Sequence, residues 1–185
     1  LSFLFLKPNM ISITITRERL LALKNWFSAR VPERWVLWSS IMLAIGATIY
    51  SYVNGYIIAY GDAESHLNIA KRVVDSLTPG FAQLGGIWLP LPHILMVPFM
   101  YSDFLWRSGL AGSVVSGAAF VISSLFLYKL VWRVTARKGA AFVGALVFMT
   151  NPNVLYFQST PMTELALIAF FVLSTYYFVK FLQED

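Results

Sequence analysis

The chain has 185 residues, of which 58% are hydrophobic and only 12% charged, with 15 Phe and 6 Trp. Soluble domains carry roughly twice that share of charge, so the composition places the fold in a bilayer. The net charge of +5 does not signal nucleic acid, because the basic residues fall in short clusters beside apolar runs and no RNA- or DNA-binding motif is present. Zero cysteines excludes disulfides and thiolate metal sites.

The opening LSFLFLKP has no basic stretch ahead of its apolar run and makes a poor secretory signal, which leaves Met10 as a candidate start. Residues 1–34 read as a cytosolic basic tail. Within it, Thr16–Val31 sets Leu20, Leu23, Trp26 and Phe27 on one helical face and Arg17, Lys24 and Arg30 elsewhere, the pattern of a helix lying on an anionic leaflet. A solvated basic tail is the alternative.

Trp35 to Tyr60 contains no charge, and its 26 residues at about 1.5 Å each exceed the ~30 Å hydrocarbon core. Gly109–Trp132, Gly139–Phe157 and Met162–Leu182 are further candidate crossings, within a membrane domain running from residue 35 to 182. Leu89–Trp106 is apolar but broken by Pro90, Pro92 and Pro98 and interrupted by Asp103. If this stretch dips into one leaflet without crossing, Lys129, Arg133, Arg137 and Lys138 stay inside, leaving 11 basic residues inside and three (Lys71, Arg72, Arg107) outside. The positive-inside rule selects that layout. The expected fold is therefore an all-α membrane protein with about four crossings, cytoplasmic termini (residues 183–185 closing the chain) and an outer segment over residues 61–108. That segment holds an amphipathic helix and a Pro-bent juxtamembrane helix.

The layout gathers Asp62, Glu64, Asp75, Asp103 and Glu164 on the outer side. Over Ala63–Leu77, Leu67, Ala70, Val74 and Leu77 form an apolar stripe, and Thr78, Pro79 and Gly80 stop the helix. Asp62 falls at the expected N-cap, a role that needs no chemistry. It also lies one turn before His66 on the same face, placed as a general base for an incoming hydroxyl. Lys71, Arg72 and Arg107 are the outer cations available to a departing lipid phosphate. Glu64, with Asp62 and His66, could instead help hold a divalent cation. His93 sits between prolines in an apolar run, where a hydrogen-bonded structural role competes with a functional one. Glu164 opens the last crossing, either complementing the helix dipole or facing Asp62 as a second acid.

Taken in order, the motifs GDAESHLNIAKRVVD, WLPLPHILMVPF, WRSGLAGSVVSGAAF, RVTARKGAAFVGALVF and NPNVLYFQSTPMTE resemble the N-terminal half of GT-C membrane glycosyltransferases. The likeness is to the family of protein O-mannosyltransferases and the lipid A aminoarabinose transferase, over about residues 34–182. It implies an inverting transferase in a prokaryotic plasma membrane, using a polyprenyl-phosphate-linked sugar. Asp62 would be the base, with Glu64 beside it, Glu164 the second acid and Arg107 the matching Arg before a small-residue helix. The family's His-Pro-Pro string is here Leu91-Pro92-His93, which leaves the role of His93 open. Members of the class have more crossings, so a split or truncated transferase, or one half of a two-chain enzyme completed by a partner chain, is implied. A non-catalytic scaffold or subunit is the competing reading. Transport is disfavoured because the crossings carry almost no ionisable groups.

Overall fold

The computed structural model describes residues 33–184; the expected interfacial helix over Thr16–Val31 and the candidate start Met10 lie outside the described residues. All described elements are helical: α1 (Glu33–Val53), α2 (Gly61–Val74), a 3-10 turn (Phe81–Leu84), α3 (Pro90–Met96) continued by a 3-10 turn (Val97–Phe99), α4 (Asp103–Ser108), α5 (Leu110–Thr135), α6 (Lys138–Met149), α7 (Pro152–Gln158) and α8 (Glu164–Glu184). Helices α1, α5 and α8 are long and apolar enough to cross a membrane. The pair α6 and α7 is bent by 65° and makes a fourth crossing if taken as one broken span.

Two crossings differ from their expected form. The first stops at Val53, not Tyr60, because Asn54-Gly55 ends it: Gly55 takes φ +71°, and Tyr56 N–H donates to Ser51 O at 2.7 Å. This is the Schellman closure that a glycine just past a helix favours. The segment Gly139–Phe157 is not one helix. Asn151, held extended before Pro152, accepts from Asn153 N–H and Val154 N–H and caps α7 afresh.

Contacts at the helix ends fix the topology. Glu33 pairs with Lys129 at 2.9 Å and Arg133 with Glu184 at 3.4 Å, joining the start of α1 to the ends of α5 and α8. At the opposite end Gly109 abuts Ile57 and Gly112 abuts Pro161. Thus α1 is antiparallel to α5, α8 is parallel to it, and the α6–α7 pair returns the chain between them. The segment from Gly61 to Ser108 leaves and rejoins the long helices at one end, and within it Leu89–Trp106 is divided into short helices. The other end carries Arg34, Lys129, Arg133, Arg137, Lys138 and Lys180.

Helix α5 is the central mast. It buries Ala111, Ser113, Ser116, Ala119, Ser123 and Ser124, small residues that let α8 and α6 approach closely, together with the large Phe120. Phe120 stacks on Phe148 at 5.8 Å within a core that includes Ala141, Ala145, Met149, Leu165 and Ala169. The stretch from Ser159 to Thr163 has no helix of its own, yet Ser159 to Met162 are buried. Its carbonyls need donors: Ser113 Oγ–H donates to Ser159 O at 2.6 Å and Ser116 Oγ–H to Met162 O at 3.1 Å.

A second cluster seats α2 on α3 and α5 through Leu67, Ala70, Met96, Met100 and Ala111. The amphipathic helix ends three residues earlier than its stripe suggested. Asp75 leaves helical geometry, and Leu77 is fully exposed outside it.

A methyl group at Gly112 would collide with the Pro161 backbone, whereas one at Gly144 would meet only Val131 at an ordinary 3.6 Å. Gly112→Ala should therefore lower stability by about 1–3 kcal/mol, read as a drop in Tm of the detergent-solubilised protein. Gly144→Ala should leave Tm close to wild type, and equal effects of the two would contradict the close approach of α5 to Pro161.

Candidate active site

The end of the bundle that holds residues 61–108 brings four of the sequence-predicted residues together. Helix α2 begins at Gly61 behind an extended Tyr60, which is its N-cap. Asp62 is therefore not the cap expected of it. It sits one position inside the helix, partly buried, and makes no hydrogen bond or ion pair among the described residues. Its charge still favours the N-terminal turn through the helix dipole, while its oxygens stay free for a ligand.

One turn on, His66 is 1% exposed, and His93, brought across by α3, is 0% exposed. Their rings share a hydrogen bond of 2.8 Å between His66 Nδ1 and His93 Nε2. The tautomers follow from the third partner. His93 Nδ1 lies 3.1 Å from Leu89 O, and a carbonyl only accepts, so this nitrogen carries the proton. In the neutral pair His93 Nε2 is then the acceptor, His66 Nδ1–H the donor, and His66 Nε2 holds a free lone pair. Trp88 packs its edge on His66 at 4.8 Å between ring centres. Burial pulls the pKa of both histidines below the ordinary 6.5. The nearby charges of Asp62 and Glu164 pull His66 back up, while His66 itself further lowers His93.

Glu164 reaches the same place from the far end of the sequence. Its position is set by the buried Ser159–Met162 segment, which the α5 serines hold. Its Oε2 is buried without a hydrogen-bond partner, and the residue lines a cavity of about 330 Å³ between the Ile87–Pro92 stretch and the first turns of α8. Asp62, His66, His93 and Glu164 therefore form one constellation: two carboxylates acting on a buried, neutral imidazole pair.

The remaining candidates lie apart from it. Glu64 is exposed, and the carboxylates that act on His66 are Asp62 and Glu164. Lys71 is held structurally: its Nζ donates to Met100 O at 3.1 Å, pairs with Asp103 at 3.2 Å and Asp75 at 3.4 Å, and lies over Trp106 at 5.0 Å. Arg107 stacks on the same indole at 5.1 Å. Arg72 is exposed with no ion pair or hydrogen bond among the described residues. Among the described residues no three His, Asp or Glu side chains form a ligand set for a metal ion. The pairing of His66 with His93 was not readable from sequence; the signal was two lone histidines in one outer segment.

The histidine pair gives stability a direction in pH. Because both folded pKa values lie below 6.5, the unfolded chain takes up protons first as pH falls. Stability is thus fully present above pH 6.5 and declines as pH drops through and below it, until the folded pair itself protonates. Tm should fall between about pH 7 and pH 5, with a shallower fall in His66→Gln/His93→Gln. Identical slopes would remove the pair as the cause.

Comparison of the chain with protein-family models, with curated proteins and with solved structures returned no match.

Proposed function

We propose that the chain is a membrane glycosyltransferase, or the front portion of one, which moves a sugar from a polyprenyl-phosphate donor to an acceptor hydroxyl at the outer face of a membrane. The observation that carries this reading is the convergence of an unpartnered Asp62 and the buried Glu164 carboxylate on the His66–His93 pair, beside an apolar cavity at the membrane end. Asp62 takes the acceptor proton as the hydroxyl oxygen bonds to the anomeric carbon. The bond from that carbon to the phosphate oxygen breaks on the opposite face, the phosphate leaves with the electron pair, and the anomeric configuration inverts. Glu164 and the neutral imidazoles shape the field in which Asp62 works. Of the cations in this segment, Arg72 and Arg107 have donors free to meet the leaving phosphate, since Arg107 is only stacked on Trp106, whereas Lys71 is engaged in ion pairs.

In this reading the basic end faces the cytoplasm, because Arg34, Lys129, Arg133, Arg137, Lys138 and Lys180 gather there against Lys71, Arg72 and Arg107 at the other end. The competing reading, a non-catalytic scaffold, has the structural engagement of Lys71 in its favour.

One experiment separates them and a second tests the layout. In membranes holding the native full-length protein, Asp62→Asn should lower transfer from a polyprenyl-phosphate sugar by about 10² to 10⁴-fold. Its Tm should change little, since Asp62 makes no capping bond; normal turnover in this variant would remove Asp62 as the base. In intact cells a membrane-impermeant thiol reagent should modify a cysteine placed at Glu64 and spare one placed at Arg133. Labelling of Arg133→Cys from outside would invert the layout and with it the outer-face reaction.

A further inference from the structure

The cavity beside Glu164 has two unlike parts. Its walls are apolar: Trp88, Leu89 and Leu91 on one side, Leu167 and Phe170 of α8 on the other. Its polar lining is Thr163 and the charged Glu164, one carboxylate oxygen of which is buried with no donor. A buried carboxylate oxygen left unpaired is unfavourable, so the site gains from any ligand that brings a donor. The last torsion of a glutamate is broad, so either oxygen can turn toward the cavity. Asp62 acts on the same His66 as Glu164 does, which places a second negative charge close by.

Access is from the bilayer. Leu167 is 66% exposed and Phe170 51% exposed on α8, a helix apolar enough to cross the membrane. A volume of about 330 Å³ gives room for a stretch of hydrocarbon chain and a small head.

We propose that this cavity binds a single-chain amphiphile that enters sideways from the membrane and places a hydrogen-bond-donating head, an alcohol or a primary amine, on Glu164. Its chain lies along Leu167 and Phe170 under Trp88. An anionic head is rejected, because the Glu164 carboxylate lines the cavity, the Asp62 charge is felt at the neighbouring His66, and no cation is among the lining residues. The polyprenyl phosphate of the donor therefore belongs elsewhere. Naming the amphiphile the sugar acceptor rests on the transferase reading; its binding does not.

Photo-crosslinking tests the binding directly. The full chain is reconstituted in phosphatidylcholine vesicles with a diazirine-bearing long-chain alcohol, amine or carboxylate of equal chain length, irradiated, and mapped by peptide mass spectrometry. The alcohol and the amine should label residues 87–92 and 166–170 about tenfold more than the carboxylate does, a preference equivalent to ~1.4 kcal/mol. Leu167→Trp, a change at a bilayer-facing position that leaves the core intact, should abolish this labelling by filling the cavity. Glu164→Gln should raise carboxylate labelling towards that of the alcohol. Equal labelling by the three heads, or labelling unchanged in Leu167→Trp, would overturn the proposal. Because no sugar transfer is measured, failure here with a normal Asp62→Asn defect sinks the amphiphile site alone, and the converse result sinks the transferase reading alone.

Discussion

Two serine hydroxyls on α5 set the geometry of this end of the molecule. The chain between α7 and α8 is irregular and buried, a condition that backbone tolerates at membrane depth only when protein groups take the place of water. Ser113 and Ser116 do so by donating to Ser159 O and Met162 O. Gly112, one residue away, gives Pro161 the room to come close enough for those bonds. Glu164 follows directly, so its carboxylate is located by hydrogen bonds to carbonyls several residues upstream. The helix dipole that welcomes an acid at this position is a secondary effect.

The other half of the site is fastened differently. Helices α2 and α3 are short, and neither buries enough apolar surface to be stable alone. They are joined by Leu67, Met96 and Met100 packing above α5, by the His66–His93 bond, and by Lys71 bridging to Met100 O and Asp103. The cation that sequence reading offered to a ligand is thereby a structural tie between α2 and the Met100–Asp103 turn. The same framework leaves Asp62 unengaged. An acid that neither caps nor pairs contributes little to folding beyond its interaction with the helix dipole.

Much of the framework was legible in the residues because membrane folding depends on local composition. Uninterrupted apolar runs gave the long apolar helices α1, α5 and α8, the prolines of LPLPHILMVP gave a short, broken helix, and the stripe of Leu67, Ala70 and Val74 gave α2. The errors lie where one or two residues override a run. Asn54-Gly55 closes α1 seven residues before Tyr60, and Asn151-Pro152 breaks what composition presents as a single helix. Asp62 lies two positions past the N-cap, Tyr60, because Gly61 already adopts helical geometry. The constellation itself was half legible. Asp62 and His66 share a helix face at i and i+4, but His93 lies 27 positions from His66, and Glu164 is further still. No periodicity encodes a contact of that kind.

Ser113 carries a consequence for biogenesis. Its hydroxyl has two acceptors within reach, Gly109 O of its own helix at 3.5 Å and Ser159 O at 2.6 Å. Ser123 and Ser124, deeper in the same helix, bond back to Ala119 O and Phe120 O at 2.8 and 2.7 Å. When the ribosome has delivered α5 but not yet residue 159, each of these hydroxyls can be satisfied within the nascent helix, so a serine-rich segment can wait in lipid without an unpaired polar group. Arrival of the later chain then lets Ser113 exchange its long intrahelical bond for a shorter one, and the last helix docks by a local swap.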